Sequence, residues 1–135
     1  MSTTLDELTY RLNSYTSDEG TTFDAQMLDD DVLQVTCSNN EEFPINIARS
    51  ETQLLTVTPL FQVEEVATDN HAMLNDTLLQ MSAAIPLSSL GKQGDSYILF
   101  GAMSLNTTFE NIVHELEVQA ENTIDVLDAI EPLLA

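Results

Sequence analysis

Positive charge is what this sequence lacks most. Its 135 residues include 3 lysines and arginines against 23 aspartates and glutamates, giving a formal net charge of −20 at pH 7. Such a surface repels phosphate backbones and anionic lipid headgroups, and it attracts cations or basic protein surfaces. Nucleic acid is therefore not expected as a partner. The simplest interpretation of the charge is a solubilising surface, and a surface for a basic partner is the alternative.

Cysteine and long apolar runs are also scarce. Cys37 is the single cysteine, so no disulfide forms within the chain, and its alternation with Leu33 and Val35 predicts a small buried side chain. No stretch of about 18 apolar residues could span a membrane. Residues 1–10 lack the basic and apolar regions of a secretory signal. A cytoplasmic protein without membrane insertion is expected.

The apolar residues that are present predict one α+β domain over residues 1–135. Helical spacing predicts three helices, and alternating segments predict three or four strands after the first helix and two before the last. The predicted order is α-β-β-β(-β)-α-β-β-α, with an antiparallel sheet and the helices packed on one face. The apolar stripe expected on the last helix is Phe109, Ile112, Val113, Leu116, Ala120, Ile124 and Leu127.

Capping patterns predict where the helices begin. Thr4 and Glu7 have capping-box spacing at the first helix, and Thr107 and Glu110 have it at the third. Either Asp69 or Asn70 is expected to cap the second helix.

The stretch Gly91–Asp95 is the segment that most resembles a ligand loop. A phosphate loop needs Ser or Thr after its lysine and a helix immediately afterwards. Here Gln93 follows Lys92, and an apolar segment typical of a strand comes next. The two glycines are expected to supply the positive φ angles of a hairpin. The sequence therefore predicts a turn.

No constellation of catalytic residues is evident. Ser88 and Ser89 lack the glycine-flanked elbow of a nucleophilic serine. His71, His114 and Cys37 do not have the spacing of zinc ligands. We therefore expect neither enzymatic activity nor a cofactor.

An acidic turn at Asp29, Asp30 and Asp31 is a weak candidate cation site. Leu33 and Gln34 break the calcium-loop pattern, so a solvated turn is the simpler interpretation. Because clustered carboxylates bind divalent ions, a small-ligand or divalent-cation sensor remains the alternative function.

The last helix carries an acidic ridge opposite its apolar stripe: Glu110, Glu117, Glu121, Asp125 and Asp128, with His114 in line. Like charges one turn apart repel, and no lysine relieves them here. Two interpretations stay open. The ridge is either a solvated face or a binding surface for a basic helix or peptide.

The apolar pattern of the segment Ser96–Met103 indicates that a second molecule covers one face of the predicted strand. Ile98 and Phe100 point to one side of the predicted strand. The other side carries Tyr97, Leu99 and Met103. A strand that is apolar on both faces must be covered twice. If the helices cover one face of the sheet, a homodimer through the sheet or the long helix would cover the rest.

The stretches "IPLSSLG", "YILFGAMS" and "FENIVHELEVQAENTIDVLDAIE" resemble the YjfI-like family of small acidic bacterial proteins, most specifically from Ile85 to Glu131. Met103 stands where leucine is expected. The family has no agreed activity to carry over. Its members are often encoded near homologues of the PspA membrane-stress protein, so the resemblance implies a link to such systems.

The order of elements is similar to the type III secretion chaperone-like fold, which YbjN-like proteins share. Those chaperones are commonly dimeric and hold partner segments on apolar grooves. Together these observations predict a non-catalytic, dimeric adaptor or chaperone-like protein. It would bind a basic or amphipathic segment of another protein through apolar sheet residues, with the acidic ridge as electrostatic guide.

Overall fold

The computed structural model describes residues 4–134 and contains a six-stranded antiparallel sheet with three helices. The elements are α1 (Leu5–Asn13), β1 (Phe23–Asp29), β2 (Val32–Cys37), β3 (Asn40–Arg49), β4 (Gln53–Gln62), α2 (His71–Ser82), β5 (Ser89–Gln93), β6 (Ser96–Ser104) and α3 (Phe109–Ile130). The strands lie in the order β1-β2-β3-β4-β6-β5. This confirms the predicted α+β architecture, with four strands before α2.

The helices cover one face of the sheet, here called the inner face. Alternation along β4 buries Leu54 and Thr56 beneath the helices and leaves Leu55 and Val57 half-buried on the outer face. In β6 the side chain of Leu99 faces inward and that of Phe100 outward. The prediction that β6 is apolar on both faces is therefore confirmed.

Two apolar clusters fill the space between sheet and helices. The first core joins α1, the first three strands and the N-terminal half of α3, around Leu8, Ile47 and Leu116. The second core joins α2, β6 and the C-terminal part of α3, around Leu74 and Val126. Cys37 is 1% exposed in the first core, which confirms its expected buried position.

A polar layer on α3 lies between the two cores. The Gln119 side chain is 2% exposed. Its Oε1 accepts a hydrogen bond of 2.7 Å from the Thr56 hydroxyl, and its Nε2 donates one of 3.0 Å to the Thr58 hydroxyl. Because both β4 hydroxyls are buried, this amide satisfies groups that would otherwise be costly to bury. The layer fixes the position of α3 over β4.

The two glycines of the predicted β5–β6 turn have different roles. Gly94 adopts φ +60 and forms the turn as expected. Gly91 does not have the expected positive φ and instead lies within β5. A Cβ atom there would come within 2.8 Å of Cε1 of Phe100, so glycine makes room for that ring.

The helix starts agree only in part with the predicted caps. The Thr4 hydroxyl accepts from the Glu7 amide as expected, at 3.2 Å. The expected Thr107 cap of α3 is wrong by one residue, because Thr108 accepts from the Asn111 amide instead. Asn70 takes the N-cap position of α2 without a capping side-chain hydrogen bond.

Candidate functional site: an acidic groove beside α3

A groove of about 440 Å³ lies between α3 and the segment 14–22 that joins α1 to β1. This segment folds back on itself, since the Ser17 amide donates to the Thr21 carbonyl at 2.9 Å and the Thr21 amide donates to the Ser17 hydroxyl at 3.0 Å. Gly20, at φ +90, allows the tight turn. The closed segment forms one wall of the groove, and α3 forms the other.

Glu117 is the buried carboxylate of the groove. Its side chain is 8% exposed, and its Oε2 accepts a hydrogen bond of 3.0 Å from the Thr21 hydroxyl. The side chain of Asn39 also donates to the Glu117 backbone carbonyl, at 3.2 Å. The expectation that Glu117 is an exposed ridge residue is therefore wrong. The segment 14–22 covers this side of α3, which helical periodicity alone does not reveal.

The other carboxylates of the groove come from both walls. Glu110 and Glu121 line it from α3, and Asp18 and Glu19 line it from the connecting segment. All four are exposed. Among residues 4–134, no lysine or arginine lines the groove, although His114 does. The five acidic groups thus face one cavity whose described lining contains no lysine or arginine, and the nearby Arg11 guanidinium stacks on the Phe109 ring.

Part of the predicted ridge lies outside the groove. Asp125 and Asp128 are exposed farther along α3 and do not line the cavity. Ile124 lies beside them and is 41% exposed, so its expected place in the buried stripe is wrong. Beyond Glu121 the segment 14–22 no longer lines the helix, and this side of α3 faces solvent. The structure therefore brings together three of the five predicted ridge residues.

The groove also has apolar walls. Tyr15, Val113 and Val118 line it between the carboxylates. The Tyr15 ring is fixed edge-on to Phe109, with ring centroids 5.1 Å apart and planes at 88°. A lysine or arginine places an apolar stem behind a charged head group. The arrangement of apolar walls and carboxylates suits such a side chain.

The Glu117 charge also acts on the thiol in the first core. Burial, together with the smaller effect of the negative charge of Glu117, raises the pKa of Cys37 from 9.0 to about 12. The thiol therefore stays protonated at neutral pH. A protonated and buried thiol is a poor nucleophile.

The acidic ridge and the apolar outer face do not form one surface. The α3 helix packs on the inner face of the sheet, whereas Val57 and Phe100 lie on the outer face. The ridge and these residues are consequently on opposite sides of the sheet. A short partner segment therefore cannot contact the outer-face sheet residues and the ridge at the same place, whereas Tyr15, Val113 and Val118 line the groove beside its carboxylates.

The acidic turn at Asp29–Asp31 is exposed. The Asp29 Oδ1 accepts a hydrogen bond of 2.7 Å from the Asp31 amide, so part of this carboxylate serves the turn itself. Within the described residues 4–134, no group of three or more His, Cys, Asp or Glu side chains is placed to hold a metal ion. The cation-site hypothesis at this turn stays a prediction without a ligand set.

Sequence reasoning missed the contribution of the α1–β1 connection. Asp18, Glu19 and Tyr15 line the groove, but no motif or spacing in the sequence connects them with α3. The pairing of Thr21 with Glu117 spans 96 residues of chain. No local sequence pattern indicates such a contact.

None of the helices within residues 4–134 is long and apolar enough to cross a membrane.

Three comparisons place this fold among known proteins. Residues 2–134 match the DUF2170 family, described as "Uncharacterized protein conserved in bacteria". The protein YjfI of Escherichia coli K12, and that of strain O157:H7, are each 28% identical over 106 residues, which cover 76% of this chain and 78% of theirs. A chain in the crystal structure of the ExsC–ExsE complex superposes with a TM-score of 0.54 and 11% identity, covering 91% of this chain and 92% of its own.

These similarities confirm two expectations. The YjfI-like resemblance holds over most of the chain. The superposition, at 11% identity, speaks for the fold alone, and it confirms the type III secretion chaperone-like architecture expected from the order of elements.

Proposed function

The chain belongs to the DUF2170 family, and from that premise we propose that it is a non-catalytic protein-binding module. In this proposal it is a cytoplasmic adaptor or chaperone-like protein, and the acidic groove binds a basic or amphipathic segment of another protein. The observation that carries the proposal is the set of five carboxylates around one cavity, with Glu117 buried among them.

Electrostatics supports a cationic ligand. Glu117 and Glu121 lie one helical turn apart on α3, as do Glu121 and Asp125, and each like-charge pair costs roughly 0.2–0.5 kcal/mol. A lysine or arginine that enters the groove turns this repulsion into attraction. It also gives the buried Glu117 a charged partner, and partly buried pairs are screened less by salt than exposed ones. Complementary charge further accelerates encounter with a basic partner.

The solved structure of similar fold supports the proposal that the ligand is a protein. The chain of similar fold was crystallised in a complex of two proteins, ExsC and ExsE. We extend that mode of action, binding another protein, to this chain as a proposal. The family resemblance further leads us to propose a partner from a PspA-like membrane-stress system, so a purified PspA-like protein is the natural probe to follow a synthetic one.

A charge-reversal experiment tests the groove. The probe is a synthetic amphipathic peptide of leucine and lysine, and its affinity is measured by fluorescence anisotropy. The variant Glu19→Lys, Glu110→Lys, Glu121→Lys changes three exposed residues that line the groove. We expect its affinity for the peptide to fall by about tenfold or more, equivalent to about 1.4 kcal/mol.

A matched variant separates the groove from net charge. Asp24→Lys, Glu51→Lys, Glu64→Lys makes the same change in total charge at three exposed positions that do not line the groove. We expect this control to bind with nearly native affinity. If both triple variants lose affinity equally, peptide binding depends only on total charge and the groove is not the site.

A conservative variant tests the buried residue. Glu117→Gln removes the charge but keeps a side-chain oxygen for the Thr21 hydroxyl, so the fold should persist. We expect weaker peptide binding together with an unchanged circular dichroism spectrum. Native affinity in this variant would show that Glu117 serves the structure only.

A further inference from the structure

The acidic groove holds a buried carboxylate whose charge no basic side chain of the groove balances. The Glu117 side chain is 8% exposed, and the hydrogen bond from the Thr21 hydroxyl reaches only one of its oxygens, Oε2. Its other oxygen, Oε1, has no hydrogen bond within residues 4–134 and is not enclosed by protein, so it opens into the groove. Burying a charge without a partner is costly. A cationic group of a ligand would remove that cost.

The carboxylates on α3 are spread along the groove and do not converge on one point. The helical rise of about 1.5 Å per residue places Glu117 about 6 Å from Glu121 and about 10 Å from Glu110 along the helix axis. In agreement with this spacing, no group of three or more His, Cys, Asp or Glu side chains within residues 4–134 is placed to hold a metal ion. The spacing therefore favours a ligand that carries several separated positive charges over a single compact ion.

The surface between the carboxylates is partly apolar. Tyr15, Val113 and Val118 contribute to the lining, and the cavity of about 440 Å³ falls in the range of about 300–1,000 Å³ that is usual for small-molecule sites. Methylene groups gain free energy by leaving water for such a surface, whereas a hydrated metal ion gains nothing from it. The lining thus suits a ligand in which cationic and apolar parts alternate.

We propose that the acidic groove is a binding site for linear aliphatic polyamines, in which ammonium groups are joined by chains of three or four methylenes. With bonds of about 1.5 Å, an extended chain of four methylenes separates two nitrogens by about 6 Å. This distance matches the axial spacing of Glu117 and Glu121. One ammonium group then pairs with the buried carboxylate, the next pairs with the exposed one, and the methylenes between them contact the apolar wall.

This site gives the proposed function a means of regulation. The proposal rests on the same groove as the proposed function, but it does not need a protein partner to hold. A polyamine and a basic segment of a protein would occupy the groove in turn, because both place ammonium or guanidinium groups against the same carboxylates. The concentration of free polyamine would then set the fraction of the protein that is able to bind its partner.

Calorimetric titration with spermidine, which carries three ammonium groups, tests the site. We expect native protein to bind one spermidine per chain in low salt. The variant Glu117→Gln keeps a side-chain oxygen for the Thr21 hydroxyl, so an unchanged circular dichroism spectrum is expected. Its affinity for spermidine should fall by about tenfold or more, because the buried charge is lost. Native affinity for spermidine in the folded variant would overturn the proposal.

Controls separate the groove from the general attraction of a chain of −20 for cations. Of the two triple-lysine variants described above, only the one with substitutions in the groove should lose spermidine affinity. The diamine 1,4-diaminobutane and magnesium carry the same charge, but magnesium keeps its water shell and should displace spermidine at least about tenfold less effectively. Equal losses in both triple variants, or equal displacement by magnesium, would show that spermidine belongs only to the counterion atmosphere.

Competition with the leucine–lysine peptide distinguishes this proposal from the proposed function. Spermidine should raise the apparent dissociation constant of the peptide in the anisotropy assay, and 1,4-diaminobutane should do so at higher concentration. Peptide binding without spermidine binding would reject the polyamine site and leave the proposed function standing. Spermidine binding without peptide binding would reject a basic segment as the ligand and support the polyamine site. Binding of both without competition would contradict a shared groove.

Discussion

The two halves of this protein carry opposite kinds of surface. Over the first core, α3 and the segment 14–22 gather five carboxylates around one groove. Beside the second core, the cavities flanking β5 have no acidic lining among the described residues. The net charge of −20 is therefore unevenly distributed. A long-range attraction for cations and a short-range apolar contact can then coexist on one small chain.

This difference makes salt a discriminating variable. Added salt screens the attraction between the groove and a cationic peptide, so that affinity should fall. The same salt screens the repulsion between two anionic copies of the chain, so the predicted homodimer should strengthen. One titration thus moves the two activities in opposite directions. Two surfaces of the same character would instead respond with the same sign.

The largest change in stability is expected from the polar layer between the two cores. Gln119→Leu removes the amide between the cores and leaves the Thr56 and Thr58 hydroxyls buried without it. Each unsatisfied hydroxyl costs about 1–3 kcal/mol, so we expect the free energy of unfolding to fall by about 2–6 kcal/mol. Urea denaturation followed by circular dichroism measures the change.

The control for this prediction replaces the whole polar layer. Combining Gln119→Leu with Thr56→Val and Thr58→Val leaves no unpaired hydroxyl, so most of the lost stability should return. If Gln119→Leu alone is as stable as the native protein, the layer does not join the two cores.

The next largest expected effect is a loss of stability at alkaline pH, and it arises from the first core alone. The pKa of the Cys37 thiol rises from 9.0 to about 12 in the folded state, so its contribution to stability is complete below pH 9 and is lost as pH rises towards 12. At pH 10 the loss amounts to roughly 1 kcal/mol, because the unfolded thiol already ionises there.

Urea titrations at pH 8 and pH 10 measure this loss as a difference between native protein and Cys37→Ala. The alanine variant lacks the thiol, so its stability should decline less between the two pH values. Equal declines would contradict the assignment of the alkaline loss to Cys37. The second core contains no cysteine, so it provides no competing thiol.

Much of the fold could be predicted because its signals are local. Leu5, Leu8 and Leu12 repeat at helical spacing and are buried together in α1. The alternation in β6 and the turn at Gly94 depend on neighbours only a few residues apart. Each of these features is a property of a short segment.

The groove could be predicted only in part, because its decisive contact is not local. Periodicity placed Glu117 with exposed residues, but Thr21 approaches it from 96 residues away in the chain and the connecting segment covers it. Ile124 lies two turns after Glu117 on the same side of α3 and is exposed, because the connecting segment no longer covers the helix there. Which side of a helix is buried depends on what packs against it at each turn.

The smallest effect sharpens the comparison by setting stability against binding. Glu121 lies one turn from Glu117 and one turn from Asp125 on α3, so Glu121→Gln removes two like-charge pairs. We expect the free energy of unfolding to rise by about 0.5 kcal/mol in low salt and by almost nothing in about 1 M salt. The affinity for the leucine–lysine peptide should fall in the same variant.

The control variant Gln80→Glu adds a negative charge at an exposed position of α2, beside Asp76. It should lower the free energy of unfolding slightly without changing the affinity for the peptide. If Glu121 destabilises the free protein but strengthens peptide binding, its role is to bind the ligand. A carboxylate that only makes the protein soluble would leave the peptide affinity unchanged when it is removed.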